Sequence, residues 1–362
     1  MKKILTYILS ALVLCSCDMD LTPKNTVTDD DLMGSSKGMA IYMARLYSYM
    51  PFEDFKYMAA WGFNFNGWLG TLGIDGCGEA MNRDDVFRTF RSEDNPCWSS
   101  AFVLIHDANH LLEELPEHKS HFTDAEFNFF MGQGYFVRAY VFYQMARRFG
   151  GIPLVTSTIA YPNESSALEI PRASEEQTWD QICDDFDMAI SLLPQTTLLS
   201  GLPNKYAALA FKAEAMLYAG SVAKYNETVS GRLTGLGSKT GVRVIGFDSG
   251  SYKQAYTRYF SESYKAAREV MKSGAYSLYK KKWVAGDKDA MYQNMVDMFS
   301  DLTSPENIFV KEYQYPSLTH GLDAYSSPFI FRDPLCSGSC PSLDFVELFD
   351  GFERYADGTI KV

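Results

Sequence analysis

The chain has 362 residues, a formal net charge of −12 and an aromatic content of 15%. That length supports a large core, as one long domain or two ordinary ones. The acidic balance argues against a nucleic-acid partner, because phosphate is repelled over much of the surface, and so many rings argue against disorder while leaving some free for a binding surface.

Lys2 and Lys3 form a basic start, and Ile4 to Leu14 an apolar run too short to span a bilayer. Leu14-Cys15-Ser16-Cys17 then reads as a bacterial lipobox. Cleavage after Ser16 makes residues 1–16 a signal peptide and leaves Cys17 as the acylated, palmitate-bearing end of a tether over 17–34. The alternative is an ordinary secretory signal that abuts a cysteine, but the basic, apolar and cleavage regions agree on the lipoprotein. No later stretch has the length and apolarity of a transmembrane helix. Five cysteines then remain, Cys77, Cys97, Cys183, Cys336 and Cys340, an odd number that cannot pair completely. Cys336 and Cys340 bracket a Ser-Gly-Ser loop where a local disulfide is open to them, whereas a metal site lacks a second cysteine pair at ligand spacing.

Thr28 followed by Asp29, Asp30 and Asp31 suits a helix start, and Pro51 stops the helix after Met50. Residues 51–97 lack helical period and contain AAWGFNFNGWLG, which is loop chemistry. From Trp98 a stripe of Phe102, Ile105, Asn109, Leu112 and Leu115 predicts a helix that ends at Pro116. In GQGYFVRAYVFYQMARRFGGIPL, residues 132–154, Tyr135, Ala139, Phe142, Ala146 and Phe149 form one stripe and Phe136, Tyr140 and Tyr143 a second. Such a helix packs on two sides, and Gly150 and Pro153 close it. Further helices are expected from Ser174 to Pro194 (Trp179, Ile182, Phe186, Ala189 and Leu193 inward), over 205–223, and over 252–272 with Phe260, Tyr264, Ala267 and Val270 inward. A Gly-rich loop or hairpin, SGRLTGLGSKTGVRVIG, separates the last two, and after Ser273 the pattern loosens into short segments and loops.

The helices come in pairs. Trp179-x2-Ile182-Cys183-x2-Phe186 fits the first helix of a tetratricopeptide repeat, and Ala139-x3-Tyr143-x2-Ala146 fits the second. The expected fold is mainly α. A tetratricopeptide-like helix-pair scaffold spans 35–275, with inserted loops at 51–97 and 226–250, and a loop-rich ligand-binding region spans 276–362.

Three patterns suggest chemistry and fall short of it. His106 and His110 lie one helical turn apart near Glu113, Glu114, His118 and His121, but the zinc-protease pattern needs Glu where Asp107 stands. GLGSKTG, residues 235–241, has Ser238 where a phosphate loop needs Gly. Asp184, Asp185 and Asp187 read as a solvated helix face rather than a catalytic pair. No cofactor is implied. The loop aromatics are the better lead, since a flat ring offers an apolar face to the C–H face of a pyranose while neighbouring amides bond its hydroxyls. The rings in question are Trp61, Phe63, Phe65, Trp68, Phe87, Phe90, Trp283, Tyr292, Tyr313 and Tyr315. Trp61, Trp68, Asn82, Phe87, Trp283 and Tyr315 are the chosen ligand contacts; for each ring the competing reading is local packing of a loop onto the helical body.

Several segments, in order, resemble the SusD/RagB family of outer-membrane nutrient-binding lipoproteins: CDMDLTPKNTVTDDDL, NPCWSSAFVLIHDANHLLEEL with its Ala108-Asn109 pair, GQGYFVRAYVFYQMARRFGGIPLV, PRASEEQTWDQICDDFDMAISLLP, KYAALAFKAEAMLYAG and SPENIFVKEY. The third is the most specific of them. The resemblance implies a non-catalytic, cell-surface protein on the outer membrane that captures glycans or similar nutrients and passes them to a SusC-like TonB-dependent porin. Its helical face would sit on the porin and its loops would face ligand. Family chains run longer, and FVELFDGFERYADGTIKV resembles a mid-family segment, so the resemblance also implies a C-terminally truncated chain. Two readings compete with glycan capture: a helical-repeat adaptor that binds only protein partners, and a zinc enzyme at His106 and His110.

Overall fold

The computed structural model describes residues 28–50, 57–58, 62–63, 80–82, 97–159, 169–197, 199, 201–226, 228, 235–313, 339–348 and 351–361. Thr28 starts α1 (Asp29–Met33) with a capping box, accepting from the Asp31 N–H while the Asp31 carboxylate accepts back from Thr28. The single helix expected to run to Met50 is interrupted. The Ser35 side chain accepts from the Gly38 N–H and starts a new helix, α2 (Ser36–Tyr49), because a local serine acceptor offers the backbone an alternative to continuing the first.

Two short antiparallel strands follow, β1 (Tyr57–Met58) and β2 (Gly62–Phe63), and then β3 (Ala80–Asn82). Helix α3 (Cys97–Glu114) tightens into a 3-10 turn over Leu115–His121 with proline at its start. Helix α4 (Asp124–Phe149) begins upstream of its apolar stripes, at a Thr123–Glu126 capping box. Ser174 and Gln177 box the start of α5 (Glu175–Leu192), and Asn204 caps α6 (Lys205–Tyr225). The Gly-rich segment is a hairpin of β4 (Gly235–Leu236) and β5 (Arg243–Ile245), followed by α7 (Tyr252–Ser273). A further helix, α8 (Lys288–Ser300), is capped by Asp287 where the sequence suggested only short segments. Strand β6 (Ser339–Pro341) pairs antiparallel with β3 and ties the early insert to the late segment, and α9 (Leu343–Glu347) follows it.

The fold is mainly α, as expected. Helix α3 packs on α4, α4 on α5, α5 on α6 and α6 on α7, a stack of sequential neighbours. Every residue from 136 to 146 is buried, which is what two apolar stripes on one helix require. The Phe136 ring meets Phe186, Phe211 and Phe309 edge-on at centroid distances of 6.3, 5.7 and 5.6 Å. Each such pair contributes about 0.5–1.5 kcal/mol beyond area burial.

Helix α7 is rotated from its expected setting. Ala255, Tyr259, Ser263 and Ala266 are buried, while Tyr264, expected inward, is 63% exposed. The polar atoms of the buried face explain the choice. Tyr259 Oη donates to Asp180 Oδ1 at 2.8 Å on α5, and Ser263 Oγ donates to the Ala213 carbonyl at 2.8 Å on α6. Among the described residues, no helix is long and apolar enough to cross a membrane.

Candidate functional site

A buried polar network holds the exit of α4 to its neighbours. The Arg138 guanidinium grips Asp185 with two bonds, Nε to Oδ2 at 2.8 Å and Nη2 to Oδ1 at 2.6 Å. Its Nη1 donates to Asn109 Oδ1 at 2.9 Å and to the Thr156 carbonyl at 3.2 Å. Asn109 Nδ2 in turn donates to the carbonyls of Val155 and Ser157 at 2.9 and 3.2 Å. Three helices and the segment after α4 are thereby joined. Burial pushes the Asp185 carboxyl up, and hydrogen bonds from Arg138 and Gln181 act against it. Asp185 is therefore not on a solvated face. Its side chain is 2% exposed, because the helix turn that carries Phe186 inward carries Asp185 toward Arg138.

The glycines that end α4 serve the same junction. Gly150 has φ +70° and donates to the Ala146 carbonyl at 2.9 Å, and Gly151 donates to the Val244 carbonyl at 2.7 Å. Arg172 donates to the carbonyls of Phe149 and Gly151, which are left without helical partners. A Cβ on Gly151 would lie 2.1 Å from the Ala173 carbonyl oxygen, so only glycine fits there.

Among the described residues, the one group of three metal-ligating side chains is Cys183, Asp187 and Glu262, and it contains no histidine. Lys212 already supplies a cation there. Its Nζ donates to Asp187 Oδ1 and Oδ2 at 2.7 and 2.8 Å and to Glu262 Oε2 at 2.9 Å. Burial pushes the Cys183 thiol up to about 12, away from thiolate chemistry. Two of the histidines engage the acidic α1 instead, His110 Nε2 at 3.0 Å from Asp29 Oδ1 and His118 Nδ1 at 3.7 Å from Asp30 Oδ1, while His106 Nδ1 is 3.8 Å from Asp107 Oδ1 on its own helix. In the hairpin that resembled a phosphate loop, Lys239 pairs with Glu169 at 2.6 Å.

Of the six proposed ligand contacts, Trp283 is the one with a described side chain. It is 41% exposed, on the segment that leads into α8. Helix α8 turns the stripe Tyr292, Met295, Val296 and Phe299 outward, with Tyr292 71% and Phe299 82% exposed. Buried Asn294 fastens the helix from its other side, donating to the Tyr279 carbonyl at 2.9 Å and accepting from the Lys282 N–H at 3.0 Å. Ion pairs Lys281–Asp301 at 2.6 Å and Lys282–Asp297 at 2.7 Å brace the same hairpin. Rings displayed on a braced hairpin lose little freedom on contact with a ligand. Tyr313 is also partly exposed. Asn82 lies in β3, with Ser339 as its register partner. Cys17, Trp61, Trp68, Phe87, Tyr315 and Cys336 lie outside the described residues. Tyr292 was singled out from sequence, but the helix that displays it with Met295, Val296 and Phe299 was not expected, although their spacing of three, four and seven residues from Tyr292 was there to be read.

A family model described as "Starch-binding associating with outer membrane", SusD-like, matches residues 78–217, from β3 through most of α6. The SusD-like protein P2 of Formosa agariphila is 26% identical over 239 residues, covering 63% of this chain and 45% of that protein. The chain is thus similar to SusD-like proteins over these residues. Its fold agrees with that of a SusD-like protein from Bacteroides fragilis, with a TM-score of 0.62, 19% identity and coverage of 93% of this chain and 56% of the other. A second B. fragilis structure, described as a SusD-like carbohydrate binding protein, gives a TM-score of 0.57 at 16% identity, covering 91% of this chain and 55% of the other. The chain thus spans less than two thirds of the length of each of these relatives. The Asn109–Arg138–Asp185 network lies wholly inside the matched region.

Proposed function

We propose that this protein is a non-catalytic glycan receptor of the outer membrane. An acyl chain on Cys17 anchors it facing the cell exterior. Exposed rings stack on sugar faces and neighbouring amides bond hydroxyls, and the captured oligosaccharide passes unaltered to a SusC-like TonB-dependent transporter. The observation that carries this reading is Trp283, 41% exposed and next in the chain to Lys282, whose N–H donates to buried Asn294 of α8. The starch-binding description of the matching family supports the ligand class.

Retention of purified protein on a panel of insoluble polysaccharides tests it, with Trp283→Ala and Trp68→Ala beside the wild type. Losing a ring that anchors a sugar weakens retention at least about tenfold. Wild-type protein retained by none of the polysaccharides ends the proposal, and unchanged retention in both variants removes those two rings from the site. Labelled palmitate incorporated into wild type but not Cys17→Ser tests the anchor, and co-purification with an outer-membrane porin tests delivery.

A further inference from the structure

A separate cavity of about 210 Å³ lies where the loop between α5 and α6 meets the end of α7 and the segment after α8. Gln195, Thr196, Thr197, Asn204, Tyr276 and Asn307 supply its polar lining, completed by Ala275 and Ile308, and no acidic or basic side chain is present. The side chains of Gln195, Thr196 and Asn307 make no hydrogen bond in the described structure. Asn204, 8% exposed, is fixed at the start of α6 by accepting from the Ala207 N–H at 2.9 Å. One hydrogen of its amide goes to Tyr276 Oη at 3.1 Å, which leaves the tyrosine O–H free to donate. Tyr206 packs edge-on against the Tyr276 ring at 5.7 Å and sets its orientation. Thr197 Oγ1 donates to the carbonyls of Leu199 and Leu202 at 3.0 and 3.2 Å and so folds the loop that forms one wall.

We propose that this cavity is a second ligand site, selective for one uncharged sugar ring. The lining argues for the class. Unspent amides and hydroxyls donate and accept alike, which matches a polyol. Although Gln195, Thr196 and Asn307 are exposed, a charged ligand finds no counter-charge among the lining side chains. The volume lies below the roughly 300–1,000 Å³ of pockets that enclose drug-sized ligands, so the cavity suits one ring rather than a chain. Trp283 is not part of the lining, and the site does not depend on capture at the α8 hairpin.

Saturation-transfer NMR on the full chain tests this with D-glucose, D-galactose and N-acetyl-D-glucosamine as neutral probes and D-glucuronate as the charged comparator. The variants are Trp283→Ala alone and Trp283→Ala with Gln195→Leu/Asn307→Leu, a pair that blocks the polar lining with two exposed-residue changes. Matching circular dichroism melts confirm that both variants are folded. At least one neutral sugar is expected to receive saturation and glucuronate little. In the Trp283→Ala background, which lacks the proposed capture ring, a neutral-sugar signal is expected to remain, and its affinity to weaken by about tenfold when Gln195→Leu/Asn307→Leu is added. Transfer to no neutral sugar, equal transfer to glucuronate, or a Trp283→Ala signal unchanged by the added pair overturns the proposal. Loss of all signal in Trp283→Ala assigns the binding to the α8 region instead and likewise overturns it.

Discussion

Replacing Arg138 with leucine tests the buried network most directly. Four hydrogen bonds from the guanidinium disappear: two to Asp185, one to Asn109 and one to the Thr156 carbonyl. The Asp185 side chain, 2% exposed, keeps only the Gln181 amide at 3.0 Å. Breaking a buried ion pair from one side costs about 3–5 kcal/mol, because the remaining charge is stranded. At about 2–4 °C per kcal/mol in a domain of 150–250 residues, that lowers Tm by about 6–20 °C. Replacing both partners, Arg138→Leu with Asp185→Leu, removes the stranded charge and costs less than either single change, as buried pairs exchanged for apolar residues commonly do. Urea denaturation of the four proteins gives the coupling energy. Hydrogen exchange should show faster labelling across residues 152–158, whose carbonyls at Val155, Thr156 and Ser157 the network holds. A single-variant cost below about 1 kcal/mol, or a double variant as costly as the sum of the singles, refutes the reasoning.

Further outcomes follow from the same geometry. Gly151→Ala places a methyl group 2.1 Å from the Ala173 carbonyl, so it should destabilise by about 1–3 kcal/mol or more and free the Val244 carbonyl, read as a lower urea midpoint. Asn294→Ala removes both ties beneath α8; exchange should quicken over 279–302 with little change in the main melting transition, and polysaccharide retention should weaken. Hydrogen bonds from Lys265 and Lys212 hold the Glu262 carboxyl below its ordinary value. Its contribution to stability is therefore complete above the unfolded-state value of about 4.3 and disappears as pH falls through the lower, folded value. The stability gap between wild type and Glu262→Gln should be widest near neutral pH and close in acid, and a gap that grows on acidification contradicts the assignment.

The sequence by itself determined where most helices begin and end. Thr28, Ser174 and Asn204 each accept from the amide three residues ahead, and Gly150 and Pro153 act on their own backbone, so these signals need no tertiary partner. The same is true of the double stripe of α4, since burial on two sides requires apolar residues on two sides. The structure alone decided which of two adjacent stripes α7 buries, because Tyr259 and Phe260 are equally plausible as inward rings until Asp180 on α5 offers an acceptor to one of them. It also decided that Asp185 is buried and Asp187 is not, since a carboxylate enters a core only where another element supplies its cation, and Arg138 lies 47 residues away in the chain. The polar cavity has the same character. Its walls come from three separate stretches of chain, around residues 195, 204 and 275–308, and no local pattern records that they meet.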